Sequence, residues 1–278
     1  NPIKHWQIDN EPPHAMTDYV QFLKISYEAV KVADGNAKVL IGGVPGMPPL
    51  SAYLDSFDKY FFPILQDLSK MEGRYFDILD YHWYGNATGD YSDMKKAYDY
   101  IDGKAKSLGI DYDEVWMTEM GTYSGDPKGI NSLAGLIDYP KQTEDQQAID
   151  VVKRYVYPLS FGVKKIFLAF GLIEGFRYNQ GYFDFTGLIY DGRFNSDLGS
   201  GVKKLSYYTY KKMVETLEDS DWSNIKSIQE KDGVYVYRLL KHGAPIYIAW
   251  NDNQEEKQVT IYGIDSSEGR IPEAVPKY

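Results

Sequence analysis

The stretch HWQIDNEPP, residues 5–13, decides how the chain is read. His5–Asp9 reads as a short strand. Asn10, Glu11, Pro12 and Pro13 follow it with turn chemistry, so Glu11 stands where a strand ends and the chain must change direction. The same arrangement returns at VWMTE (Val115–Glu119), where Glu119 closes a strand and Met120-Gly121 follows. Three further short apolar runs are Lys38–Gly42 (KVLIG), Phe76–His82 (FDILDYH) and Lys165–Phe170 (KIFLAF). Runs of this kind suit strands buried on both faces of a parallel sheet.

Helical patterns lie between these strands. One starts at Thr17 as N-cap and turns Val20, Leu23, Tyr27 and Val30 toward a core. A second covers about Leu50–Met71, with Pro63 expected to kink or divide it. A third covers about Tyr91–Leu108 and stops at Gly109, a suitable residue just past a helix end. The fourth opens on Thr143-Glu144-Asp145-Gln146, the spacing of a capping box, and runs to about Phe161. The last lies near Val202–Leu217. Five strands, each followed by a helix, predict a parallel α/β architecture.

After about Glu218 the texture changes. Ile225–Gln229, Val234–Leu240, Pro245–Trp250 and Gln258–Tyr262 read as strands joined by short links rich in turn formers, which predicts an antiparallel meander. The expected division is therefore an α/β part over residues 1–218 and a small antiparallel, β-sandwich-like subdomain over 219–278.

Composition bounds what such a chain does. It has 278 residues, 30 Lys+Arg against 40 Asp+Glu for a net charge of −10, 43% hydrophobic residues, four His and no Cys. Cysteine chemistry, disulfides and thiolate metal sites are excluded. The acidic balance argues against a nucleic-acid partner, whose phosphates want clustered Lys and Arg. No apolar run approaches the roughly 20 residues of a membrane span, so no membrane partner is expected. The chain opens Asn1-Pro2-Ile3-Lys4, without Met or a signal-like segment, and localisation is not read from it. His5, His14 and His242 form no ligand spacing and no HExxH occurs, so neither a metal nor another cofactor is expected.

The two strand-end carboxylates carry the chemistry. Parallel strands point their C-terminal ends the same way, so Glu11 and Glu119 are expected at one mouth, where barrel enzymes place their active sites. Two carboxyl groups facing each other across a sugar are what glycosidic cleavage needs, one protonated and one ionised. His82 and Tyr84, two apart in HWYG, share a strand face and reach toward the same mouth, with Trp83 on the other face. A Tyr hydroxyl or imidazole N–H beside a carboxylate favours its charged form. Asn10 offers a donor and an acceptor to a sugar hydroxyl. Glu174, in LIEG beyond the fifth strand, is a weaker third carboxylate. Gly42–Gly46 (GGVPG) lacks the phosphate-cradle pattern and reads as a strand-end turn.

WQIDNEP resembles the fourth-strand acid/base motif, Asn-Glu-Pro, of the clan A retaining glycoside hydrolases. VWMTEMG is similar to their seventh-strand nucleophile motif, and HWYG to their sixth-strand His-x-Tyr. Residues 18–46 and 142–171 resemble the corresponding helix–strand units, especially those of family 39. GLIYDGR and KKLSYYTYKKM resemble the run from the eighth strand into the last helix. Coverage runs from Trp6 to about Met213. The resemblance implies a partial (β/α)8 TIM barrel, strands four to eight, with a small antiparallel β subdomain behind it. It makes Glu11 the general acid/base, protonated before reaction, and Glu119 the nucleophile that forms a covalent glycosyl-enzyme. Asn10 would bind the 2-hydroxyl, and Tyr84 with His82 would orient Glu119. Retention implies carboxyl groups roughly 5–5.5 Å apart, inversion about 6.5–9.5 Å.

Two features depart from the family. The Trp that usually ends its eighth strand is replaced by Phe170-Gly171-Leu172, and strands one to three have no counterpart. Three origins are compatible with the second departure: a fragment of a longer protein, a natural truncation that self-associates as a homo-oligomer, or an N-terminal barrel segment supplied as a separate chain. Two functions follow. One is a retaining O-glycoside hydrolase, or the catalytic-pair portion of one, acting on a carbohydrate substrate. The other is a truncated, inactive glycan-binding or self-assembling relative.

Overall fold

The computed structural model describes residues 3–12, 18–132, 135–194 and 197–258. In chain order the first unit contains β1 (His5–Ile8), α1 (Tyr19–Ala33), β2 (Lys38–Ile41), α2 (Leu50–Ser56), α3 (Phe62–Ser69), β3 (Ile78–Asp80), β4 (Trp83–Tyr84), α4 (Asp93–Ser107) and β5 (Glu114–Gly121). There follow β6 (Ile130–Ser132), β7 (Gly135–Ile137), α5 (Glu144–Ser160), β8 (Val163–Leu168) and α6 (Leu205–Leu217). By its internal contacts this part, Asn1–Glu218, is one compact unit, and Asp219–Tyr278 is another.

The sheet runs β1-β2-β3-β5-β8 with every pair parallel, and β4 resumes beside β5 after a break at Tyr81-His82. Each main strand is followed by helix, as the alternation of patterns predicts. Packing on both faces explains the apolar runs: Val39, Ile41 and Met117 are fully buried, and Ile78 and Leu79 are almost so. Each such side chain contributes about 1.5–3 kcal/mol relative to its exposed state. From the helices, Leu23, Ile64, Leu65, Met94, Ile101 and Val151 complete this core. The architecture is that of a partial (β/α)8 barrel followed by a small antiparallel β subdomain.

Among the described strands β1 pairs only with β2, and β8 only with β5. Their outer faces are wet: Trp6 is 37% exposed on β1 and Phe167 is 47% exposed on β8. None of the described helices is long and apolar enough to cross a membrane.

Helix ends follow their sequence signals unevenly. At α5 the Thr143 hydroxyl accepts from the Gln146 N–H at 3.2 Å and the Gln146 side chain accepts from the Thr143 N–H at 2.8 Å, closing the capping box. Gly109 takes φ +70° just past α4. The 50–71 segment divides in the turn before Pro63, as expected: a π-helical turn, Phe57–Phe61, separates α2 from α3, and Pro63 sits in the first turn of α3 where its missing N–H costs nothing. Thr17, expected to cap α1, lies outside the described residues, and the helix begins at Tyr19 behind Asp18.

In the second unit β9 (Lys226–Lys231), β10 (Val234–Lys241) and β11 (Ala244–Asn251) form an antiparallel meander. Its two-residue turns, Asp232-Gly233 and His242-Gly243, have positive φ at both positions, the geometry whose twist matches the flanking strands. The fourth strand expected at Gln258–Tyr262 falls, beyond Gln258, outside the described residues.

Candidate active site

Glu11 leaves β1 on a tight turn. Asp9 and Glu11 both take left-handed backbone conformations, φ +68° and +46°. For residues with a Cβ this costs on the order of 1–3 kcal/mol each. The Asp9 carboxylate accepts the Asn10 N–H at 2.7 Å, and Pro12 is buried at the turn's end. The turn brings Glu11 Oε1 to 2.8 Å from His82 Nδ1. Asn10 itself is exposed.

Glu119 approaches from β5. Its Oε2 accepts the Tyr84 hydroxyl and lies 3.4 Å from the same His82 Nδ1. Carboxylate oxygens of Glu11 and Glu119 come within 4.8 Å of each other. Both side chains are partly open to solvent, 34% for Glu11 and 14% for Glu119, whereas His82 is fully enclosed behind them. His82 therefore touches the carboxylates and not the open cleft.

Room for the imidazole comes from the backbone of the GGVPG turn after β2. A Cβ on Gly43 would lie 2.0 Å from His82 Nε2, and one on Gly46 would strike the Tyr53 ring at 1.7 Å. Gly43→Ala is expected to displace the imidazole and destabilise the fold by about 1–3 kcal/mol, the usual cost of overpacking. A thermal melt of this variant within 1 °C of wild type would contradict that close approach.

Electrostatics follow from these contacts. Burial works against a charge on His82. The hydrogen bonds to Asp80 and Glu11 and the fields of Asp80 and Glu119 outweigh it, and its pKa is pushed up to about 10. Burial holds Glu119 above the usual carboxylate range; His82 and the Tyr84 hydroxyl offset this only in part, and the charges of Glu11 and Asp80 add to it. Burial and the neighbouring Glu119 hold Tyr84 as a neutral phenol.

A histidine raised in the folded state stabilises fully below its ordinary value and loses that contribution as pH climbs toward the folded one. From pH 7 to 9 stability is expected to fall by up to about 1.4 kcal/mol per pH unit through this group. Urea unfolding checks this, and His82→Gln should flatten the slope; an equal slope in both proteins would contradict it.

Glu11, His82 and Glu119 are also near enough to one another to surround a small cation. Binding one there would require removing the proton that His82 Nδ1 turns toward the two carboxylates, so the donor set does not favour it.

Other expected positions resolve differently. Trp83 points away from Tyr84 and packs on Tyr53, with ring centroids 5.1 Å apart. Phe170, in the place of the expected Trp, stacks on Tyr84 at 6.0 Å and on Phe176 at 4.5 Å. Glu174 is not at the mouth. It is fully buried in an ion pair with Lys204, which enters at the start of α6. Asp80 and Thr118, which motif reading passed over, stand directly behind His82: Thr118 Oγ1 lies 3.1 Å and Asp80 Oδ2 3.5 Å from Nε2. A signal for Asp80 exists, because Asp80, His82 and Tyr84 alternate along one strand face.

No protein-family model matches the chain, and no curated protein matches it in sequence. Solved structures do match. A family 39 glycoside hydrolase from the gut symbiont Bacteroides cellulosilyticus WH2 aligns at TM-score 0.57 and 18% identity, over 89% of this chain and 47% of that one. A glucosidase from Croceicoccus marinus aligns at TM-score 0.53 and 17% identity, over 86% of this chain and 48% of that one. The chain thus spans about half the length of these neighbours. What it shares with them is a glycosidase-like fold.

Proposed function

We propose that the chain carries the catalytic pair of a retaining O-glycoside hydrolase of the clan A kind, nearest to family 39, with a carbohydrate substrate. The observation that carries this reading is the approach of Glu11 and Glu119 to within 4.8 Å across one imidazole. Such closeness fits the short separation of double displacement, about 5–5.5 Å, better than the roughly 6.5–9.5 Å of inversion.

In this reaction Glu119 attacks the anomeric carbon while Glu11 delivers its proton to the departing oxygen. The resulting glycosyl ester on Glu119 is then hydrolysed by a water whose proton Glu11 takes. The Tyr84 hydroxyl, which donates to Glu119 Oε2, fixes the attacking carboxylate and favours its ionised form. Asn10, exposed beside Glu11, is assigned to the sugar's 2-hydroxyl.

Incubation with a panel of activated 2-deoxy-2-fluoro glycosides tests the assignment, with this chain and with any longer form of it. The expected result is a stable mass increase that peptide mapping places on Glu119. Sugar binding with neither adduct nor turnover would overturn it in favour of a glycan-binding protein.

A further inference from the structure

We propose that Asp80 and Thr118 are positioning residues that hold His82 as a doubly protonated imidazolium, whose Nδ1–H serves Glu11 and Glu119 in turn. The part concerning the two glutamates rests on reading them as a catalytic pair; the charge state of His82 does not.

The argument is one of hydrogen-bond capacity. A threonine hydroxyl has one proton to give. Thr118 gives it to Asp80, its Oγ1 lying 2.5 Å from Asp80 Oδ2, while its backbone N–H donates to Asp80 Oδ1 at 2.9 Å. Toward His82 Nε2, 3.1 Å away, the hydroxyl can then only accept, so Nε2 carries a proton. Asp80 Oδ2, 3.5 Å from the same nitrogen, favours that proton further. On the far side Nδ1 meets two carboxyl groups, at 2.8 Å from Glu11 and 3.4 Å from Glu119, and whichever of the two is ionised can only accept, so Nδ1 donates to it. Both ring nitrogens are donors, and the ring is a cation in a fully enclosed position.

Every element around the ring contributes to this state. Glu11 faces it from the turn after β1, Asp80 from β3, and Thr118 and Glu119 from β5, with Tyr84 of β4 bonded to Glu119. After β2 the neighbour is the uncharged backbone of Gly43. The pKa of His82, pushed up to about 10, agrees with the geometry.

The cation has a use in each half of the reaction. Before attack Glu119 carries the negative charge and Glu11 the proton, and Nδ1–H helps keep Glu119 ionised. In the glycosyl-enzyme Glu119 is a neutral ester, Glu11 is the anion, and Nδ1–H is free to turn fully to Glu11. No proton leaves His82 at any stage. The ring supplies a fixed positive charge that follows the mobile negative one.

Nitrogen-15 NMR of the imidazoles in the full chain tests the charge state without reference to activity. At pH 8, where an ordinary histidine of pKa about 6.5 is almost wholly neutral, His82 is expected to show protons on both nitrogens. Asp80→Asn and Thr118→Val are each expected to make it mostly neutral at that pH, and Thr118→Ser to restore the cation. Should Asp80→Asn fail to fold, the two Thr118 variants carry the comparison. A neutral His82 in the wild type, or a charged one in every folded variant, would overturn the inference. On activated aryl glycosides, Thr118→Val should lower kcat at least tenfold and move the alkaline limb of the pH profile downward, whereas Thr118→Ser should keep both near wild type. An unmoved alkaline limb in Thr118→Val would remove the catalytic use of the cation. A charged His82 without any adduct on Glu119 sinks the hydrolase reading alone, and an adduct with a neutral His82 sinks this inference alone.

Discussion

Glu119→Gln is expected to lower turnover of any glycoside the chain hydrolyses by a factor on the order of 10^4 or more, the scale on which loss of a catalytic nucleophile is felt. The amide keeps the shape and can still accept the Tyr84 hydroxyl, so the site stays assembled. It loses the electron pair that attacks and the charge that faces the developing oxocarbenium ion. The same oxygen position, 3.4 Å from His82 Nδ1 in the native site, also keeps an acceptor facing that ring. Stability should change little, because the carboxylate it replaces is itself partly penalised by burial, which raises its pKa. Steady-state kinetics and a thermal melt read the two effects separately. Turnover within tenfold of wild type would remove Glu119 from the nucleophile's place.

How the site became legible, and where it did not, depends on the range of the forces involved. Strands were readable because burial on two faces forces a short apolar run, whatever packs on it. The capping box at Thr143 was readable because its hydrogen bonds join residues three apart. Glu11 and Glu119 were readable because parallel strands carry their ends to one side. Thr118 was not, since strict alternation would set it opposite Glu119. The β5–β8 ladder is interrupted between Met117 and Met120, however, and both side chains reach His82. Nothing in VWMTE announces that irregularity. Glu174 fails for a related reason: whether a strand-end carboxylate is solvated or buried depends on a distant cation, here Lys204 at the start of α6. The π-helical turn at Phe57–Phe61 lies in the turn before Pro63, whose ring would clash with the Lys59 carbonyl of a regular helix, and Phe57 and Phe61 within it are buried. Local rules therefore recovered the scaffold and the meeting of Glu11 and Glu119, while Asp80 and Thr118 behind His82 came from contacts no local rule contains.

Glu11→Ala should separate substrates by their leaving groups. A dinitrophenolate departs without help, so its loss needs no proton from the enzyme; an alkoxide does not, and depends on one. The quantity to compare is kcat/KM, which reports the first, bond-breaking half-reaction. It should fall by roughly 10^2–10^4 for alkyl glycosides, the usual worth of a general acid. For dinitrophenyl glycosides it should stay within about tenfold of wild type. Their kcat should nevertheless drop, because the second half-reaction loses its base and glycosyl-enzyme accumulates as a burst. An added anion such as azide attacks without needing deprotonation, and should restore that kcat while giving a glycosyl azide of retained configuration. His82 makes this comparison sharp: with Glu11 shortened, its Nδ1–H has only Glu119 to serve, so the nucleophile is kept ionised while the acid is gone. Equal losses on both classes of substrate, with no burst and no azide rescue, would mean that residue 11 positions the sugar and does not move its proton.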